Sequence, residues 1–202
     1  MYKSPYEYKP KLAVVSYPIE TSADLAVKQL YPGEAIKLMP EQTITSALEK
    51  TERGVSDSAF LPIESSHGGS VSETQKALER TGLSIISEAV VAGENQTRFI
   101  ELGTQVPEPT DRDKTSIVCQ TINQEPGSLV GLMNSLAYRA ISMTSVQSRP
   151  DGQGRYLFHI DFEGHQKNPN IQEALEEMEL KSTEFKVLGS YPVALVSPDL
   201  LQ

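Results

Sequence analysis

Through the first half of the chain, short apolar and β-branched runs alternate with amphipathic stretches of about ten residues. Runs at 11–16, 35–39, 58–63, 83–91 and 97–102 read as strands, and stretches near 22–30, 43–52 and 70–80 as helices. Thr21 or Ser22 is the candidate cap of the first helix, and Pro32-Gly33, Gly54 and Gly82 mark the three helix ends. Alternation of this kind predicts an α/β layer with a largely parallel sheet. Residues 103–113 carry two prolines and several charges without periodicity, which predicts a linker. Beyond it the rhythm changes to strand 115–121, helix 127–137, strands 141–147 and 155–162, helix 170–180 and strand 184–190. Pro150-Asp-Gly-Gln-Gly154 is the hairpin signal between the two middle strands, and the order β-α-β-β-α-β is the ferredoxin-like α+β pattern.

The stretch from Phe60 to Thr74 stands out within this pattern. It ends a strand, passes through small and polar residues at Ser65, Ser66, His67, Gly68 and Gly69, and opens a helix at Ser70. Ser70 and Glu73 have capping-box spacing, in which hydroxyl and carboxylate each satisfy an orphan backbone N–H. A Gly-rich turn leading into a helix start presents free N–H groups and a positive dipole end, so a small carboxylate is the ligand class this turn suits. A strand-to-helix turn with no ligand has the same residues.

Composition narrows the classes. The 202-residue chain has a net charge of −9 and no tryptophan, and its Lys and Arg residues form no cluster, which argues against nucleic acid as a partner. No apolar run reaches membrane-spanning length, and the first ten residues lack the apolar core of a signal peptide, so a cytoplasmic location without membrane contact is expected. The lone Cys119 lies in an apolar run and is expected to be buried and inert. No His, Cys, Asp or Glu grouping has metal-ligand spacing, so neither metal nor cofactor is implied.

Several segments carry a resemblance. Glu125-Pro-Gly-Ser-Leu-Val130, Gln147-Ser-Arg-Pro150, Tyr156 to His165 and Lys186 to Pro192 resemble an ACT domain, the amino-acid-sensing module that follows the catalytic domain of prephenate dehydratases. Pro62 to Ser66, Gly69-Ser-Val71 and Thr97-Arg-Phe99 are similar to the substrate turn and the catalytic threonine motif of the same family. The resemblance runs from Lys11 to Pro192. It implies a single truncated lobe of a periplasmic-binding-protein-like (type II) domain at 11–102, a linker at 103–113 and a ferredoxin-like ACT domain for regulation and dimerisation at 114–192. The lobe is truncated because the chain passes from Val91 through Gly93-Glu-Asn-Gln96 to Thr97, where the family builds a second lobe. Tyr17-Pro-Ile-Glu-Thr21 keeps only Pro18 and Thr21 of the family's first turn, Ser65 and Gly68 replace an Asn and an acidic residue, and Gln147 replaces a Glu.

By this resemblance Thr97 is the catalytic residue of a lyase that removes a ring hydroxyl and a carboxylate together. Thr21, Ser65, Ser66, Gly69, Ser70, Arg98 and Phe99 are the expected substrate contacts, a structural ion pair being the other reading of Arg98. His67 is an acid–base candidate from position alone, and His159 and His165 are expected to be structural. Gly127, Ser128, Leu129, Gln147, Ser148 and Arg149 are the expected site for a regulatory amino acid, L-phenylalanine. Gln147 in place of Glu removes a charge that could meet the ammonium, so weaker binding is expected. The implied partners are a small ring carboxylate and a second copy of the chain, docked through the second half with Leu129, Met133 and the 156–162 strand at the contact. A sensor protein built on a catalytic remnant, and an enzyme recruited to another ring substrate, are the alternatives.

Overall fold

The computed structural model describes residues 12–15, 21–33, 36–92, 96–123 and 125–194. The first turn, residues 16–20, and the side chains of Thr21 and Ser22 lie outside that description. Two sheets carry the fold. The first is built from β1 (Leu12–Val15), α1 (Thr21–Leu30), β2 (Lys37–Pro40), α2 (Ile44–Glu52), β3 (Ser58–Ser65), β4 (Gly69–Ser70), α3 (Ser72–Arg80), β5 (Ser84–Val91) and β6 (Thr97–Gly103). Its strand order is β2-β1-β3-β6-β5, with the short β4 folded back on β3. β1 pairs in parallel with both β2 and β3, whereas β6 is antiparallel to β3 and β5. The sheet is therefore mixed rather than largely parallel. The cause lies at 92–96, where a connection too short for a crossover forces β6 to return beside β5, with Val91 opposite Thr97.

The second sheet comprises β7 (Asp113–Thr121), α4 (Ser128–Ala137), β8 (Met143–Pro150), β9 (Tyr156–Glu163), α5 (Pro169–Leu180) and β10 (Ser182–Pro192). It is antiparallel throughout, in the order β10-β7-β9-β8, which is the ferredoxin-like arrangement expected. β8 extends to Pro150 and so absorbs the first residue of the expected hairpin turn.

Strand alternation decides what each face touches. On one face of the first sheet Phe60, Ala89 and Phe99 pack on Ala23, Ala26 and Val27 of α1. On the other, Leu61, Ile85, Ile100 and Leu102 meet Ile44 and Leu48 of α2 and Leu78 of α3. That second face continues without a break into Val118, Leu157, Leu188 and Tyr191 of the second sheet. The opposite face of the second sheet, with Ile117, Ile160 and Phe162, is covered by α4 and α5. The sheets approach closely at Gly189, where an added Cβ would lie 2.3 Å from the Ile85 carbonyl oxygen. Only a residue without a side chain lets the two backbones meet there.

Candidate functional site

Thr97, Ser65 and Ser66 come together. Thr97 starts β6 directly opposite Ser65 at the carboxyl end of β3, and the Ser66 N–H donates to the Gln96 carbonyl at 2.9 Å. The Ser66 hydroxyl accepts from the Gln96 N–H at 3.1 Å. β1, β2 and β3 all end on this side of the sheet, and α1 starts there at Thr21, the position in open α/β sheets where ligands bind. Alternation along β6 puts Thr97 and Phe99 on the α1 face, and Phe99 is buried in that core.

The same alternation turns Arg98 the other way. Its guanidinium lies between the sheets, 2.8 Å from Glu88 of β5, 2.8 Å from Asp161 of β9 and 2.9 Å from the Tyr191 hydroxyl. Glu88 also accepts from Lys114 at 3.0 Å and from the Ala194 N–H at 3.0 Å, and Ser116 donates to Asp161 at 2.6 Å. Burial works against the Glu88 carboxylate, yet Arg98 and Lys114 hold its pKa below the ordinary 4.5. Arg98 is therefore the centre of an ion network that joins the sheets. Of its two expected roles the structure shows the ion pair, directed away from the α1 face.

Ser70 also departs from expectation. The capping box with Glu73 does not form, since α3 starts at Ser72 and its N-cap, Val71, makes no side-chain cap bond. Gly69 and Ser70 instead pair back on β3, which leaves 66–68 as the turn. The Ser70 hydroxyl crosses to the second sheet and donates to the Gln147 side-chain carbonyl, which also accepts from the Gln75 amide at 2.6 Å. His67 is exposed in the turn, with its N–H 3.4 Å from the Ser65 hydroxyl.

The second candidate site is a cavity of about 240 Å³ beside the N-terminus of α4, lined by Asn123, Glu125, Ser128, Leu129, Arg155, Tyr156 and Phe158 among others. Gly127 caps the helix at φ 92°, a left-handed value that a glycine adopts without strain. Of the residues expected at an amino-acid site, Ser128 and Leu129 line this cavity, and Ser148 pairs with Phe158 on β9. Gln147 and Arg149 do not join them, because alternate residues of β8 face opposite ways. One terminal nitrogen of Arg149 lies 2.6 and 2.7 Å from the two carboxylate oxygens of Glu79 of α3, and His159 of β9 lies 3.1 Å from the same carboxylate. Burial lowers the His159 pKa below 6.5 although Glu79 opposes the shift. Glu79 and Arg155 are not singled out by the sequence, and Tyr156 and Asp161 enter only as part of the segment that resembles an ACT domain, with no role of their own. The signal for Asp161 was present, since His159 and Asp161 alternate with Phe158, Ile160 and Phe162 in a strand apolar on one face and polar on the other. Among the described residues no group of three or more His, Cys, Asp or Glu side chains could hold a metal ion, and no helix is long and apolar enough to cross a membrane.

Residues 18–96 match the family model described as prephenate dehydratase. The chain is 40% identical over 124 residues to a prephenate dehydratase of Mycolicibacterium vanbaalenii, an alignment covering 59% of this chain and 39% of that one. Over residues 18–96 the chain falls in the prephenate dehydratase family. It spans less than two thirds of the length of the curated relatives it matches first, 39% in this case and 28% for a bifunctional chorismate mutase/prephenate dehydratase of Pseudomonas aeruginosa. Two solved structures share the fold at a TM-score of 0.79. One, GqqA, is described as a novel type of quorum-quenching acylase; it is 28% identical, over 95% of this chain and 98% of that one. The other is a prephenate dehydratase of Arthrobacter aurescens in complex with L-Phe, 24% identical over 94% of both chains, a likeness that carries the fold alone.

Proposed function

We propose that the chain is a prephenate-dehydratase-type lyase acting on prephenate or a related non-aromatic ring acid. The observation that carries this reading is the pairing of Thr97 with Ser65 at the carboxyl ends of β1 to β3, in and next to the segment that matches the family. In the reaction the ring carboxylate leaves as carbon dioxide, its bonding electrons enter the ring, and the ring hydroxyl departs with a proton as water. Thr97 supplies the hydrogen bond or proton to the leaving oxygen, and Ser65 and Ser66 donate to the substrate carboxylates. Aromatisation drives the step, so positioning and hydrogen bonding suffice and no cofactor is required. The direct β5–β6 connection leaves this site without a second lobe to exclude water, which lowers the turnover expected of it. Incubation with prephenate, followed by the absorbance of phenylpyruvate, tests the reading; no phenylpyruvate at high enzyme concentration refutes it.

In the same proposal, residues 11–102 are the catalytic lobe, 103–113 the linker and 114–192 an ACT domain that binds L-phenylalanine and pairs with a second copy. The cavity beside α4 suits such a ligand. Arg155 can meet the carboxylate, Glu125 the ammonium, and Leu129, Tyr156 and Phe158 the ring. Val130, Tyr138, Met143 and Val146 are exposed hydrophobics on α4 and on or beside the edge strand β8, surface that a dimer would cover. A solution mass equal to the 22.2 kDa monomer at micromolar concentration refutes the dimer. The shared fold with the acylase over 95% of this chain favours one further reading, cleavage of an acylated quorum signal at the same open site. Release of the acyl group without any action on prephenate would select it.

A further inference from the structure

We infer that the seam between the two sheets binds an ordered water, held by Gln75 of α3, Ser145 and Gln147 of β8, and His159 of β9. These four side chains line one cavity of about 30 Å³, room for roughly one or two water molecules. Strand register makes the seam polar here. Ser145 pairs with Asp161 and Gln147 with His159 across the β8–β9 ladder, on the face turned toward the first sheet. Gln75 meets them from α3, one turn before Leu78, and is only 4% exposed. Ile63, Ile85 and Ile100 of the first sheet supply an apolar wall.

The polar atoms around this cavity divide into those already bonded and those that are not. Arg98 directs its three nitrogens to Glu88, Asp161 and Tyr191, and Asp161 takes Arg98 on one oxygen and Ser116 on the other. Gln147 accepts from Ser70 and Gln75 on its side-chain oxygen. Its amide nitrogen and the Gln75 side-chain oxygen then have no partner among the described residues. Reversing both amides changes which residue carries the donor and leaves the count the same, one donor and one acceptor. The Ser145 hydroxyl likewise has no partner among the described residues. His159 directs Nε2 to Glu79, and burial disfavours its charged form, so Nδ1 is left as an acceptor. Two donor groups and two acceptors are the set that one water satisfies, since it accepts twice and donates twice. An ammonium ion would meet donors it cannot use, and a halide would meet acceptors that repel it. Buried polar groups find their partners in protein or in ordered water, and a water here supplies all four at once.

The test is magnetic relaxation dispersion of the water signal from a solution of the full chain, which counts waters held for longer than the protein takes to tumble. Wild type is compared with Ser145→Val, whose methyl groups enter the cavity, and with Thr144→Val, the exposed neighbour on the same strand. The dispersion amplitude should fall by at least about one water in Ser145→Val and match wild type in Thr144→Val. No fall in Ser145→Val, or the same fall in both variants, overturns the site. A high-resolution crystal structure of the wild type supplies the second readout. Water density within about 3.2 Å of the Gln75, Ser145 and Gln147 polar atoms is expected. An ion at that position, or side chains that close directly on one another with no water between them, overturns it. Should Ser145→Val not fold, Gln75→Met removes the buried acceptor and carries the same comparison. None of these readouts depends on turnover or on a ligand at either candidate site, so the water stands or falls apart from the lyase reading.

Discussion

Replacing Arg98 by methionine separates a structural cation from a substrate-binding one. The side chain is 15% exposed, and its carboxylate partners Glu88 and Asp161 are 2% and 13% exposed, so screening by water is small. Methionine retains much of the volume and removes the charge, which leaves two buried carboxylates short of a partner. Breaking a buried pair from one side costs about 3–5 kcal/mol. Here the lower end applies, because Glu88 keeps Lys114 and the Ala194 N–H, and Asp161 keeps the Ser116 hydroxyl. A loss of about 3 kcal/mol in a chain of this size corresponds to roughly 6–12 °C in melting temperature. Urea unfolding at pH 7.5 measures it, alongside Asp161→Asn and the double variant. The double variant should lose less than the sum of the singles, since the neutral amide that Asp161→Asn introduces no longer needs the cation. A loss below about 1 kcal/mol, within the range of an ordinary surface pair, would refute the network and return Arg98 to the substrate.

Three further outcomes follow from the geometry. Thr97→Val removes a hydroxyl and keeps the shape, so stability should hold while turnover falls roughly 10²-fold; turnover equal to wild type on the substrate that is processed removes Thr97 from the mechanism. The His159 pKa is lowered on folding by burial, so the unfolded chain binds the extra proton. Stability should therefore be complete above pH 6.5 and fall as pH drops through 6.5 toward the folded value, and His159→Gln should flatten that part of the urea-midpoint profile. The Glu79, Arg149 and Asp161 charges face this imidazole, so the His159→Gln variant is compared with wild type at each pH rather than at one. Gly189→Ala forces a methyl group against the Ile85 backbone, and a loss of roughly 3 kcal/mol is expected by thermal unfolding, with a change under 1 kcal/mol showing that the sheets part freely.

The local elements were legible in the residues because each depends on neighbours in sequence. The period of apolar positions marked strands and helices, Gly and Pro marked their ends, and β-α-β-β-α-β order in the second half led directly to its sheet. The meeting of Thr97 with Ser65 followed from motif and topology together. What the residues alone left open were the faces. Whether Arg98 turns toward substrate or toward Glu88 and Asp161, and whether Gln147 meets a ligand or Ser70, depends on strand register and on which sheet packs behind. The mixed sheet has the same origin, since a strand's direction is set by the length of the connection before it, and that between β5 and β6 allows only a return. Ser70 shows the limit most plainly. Its spacing to Glu73 is right for a cap, but a hydroxyl bonds to the best acceptor within reach, and tertiary packing put Gln147 there. Sequence spacing defines which bonds are available, and the energy of burying two sheets against one another decides which of them form.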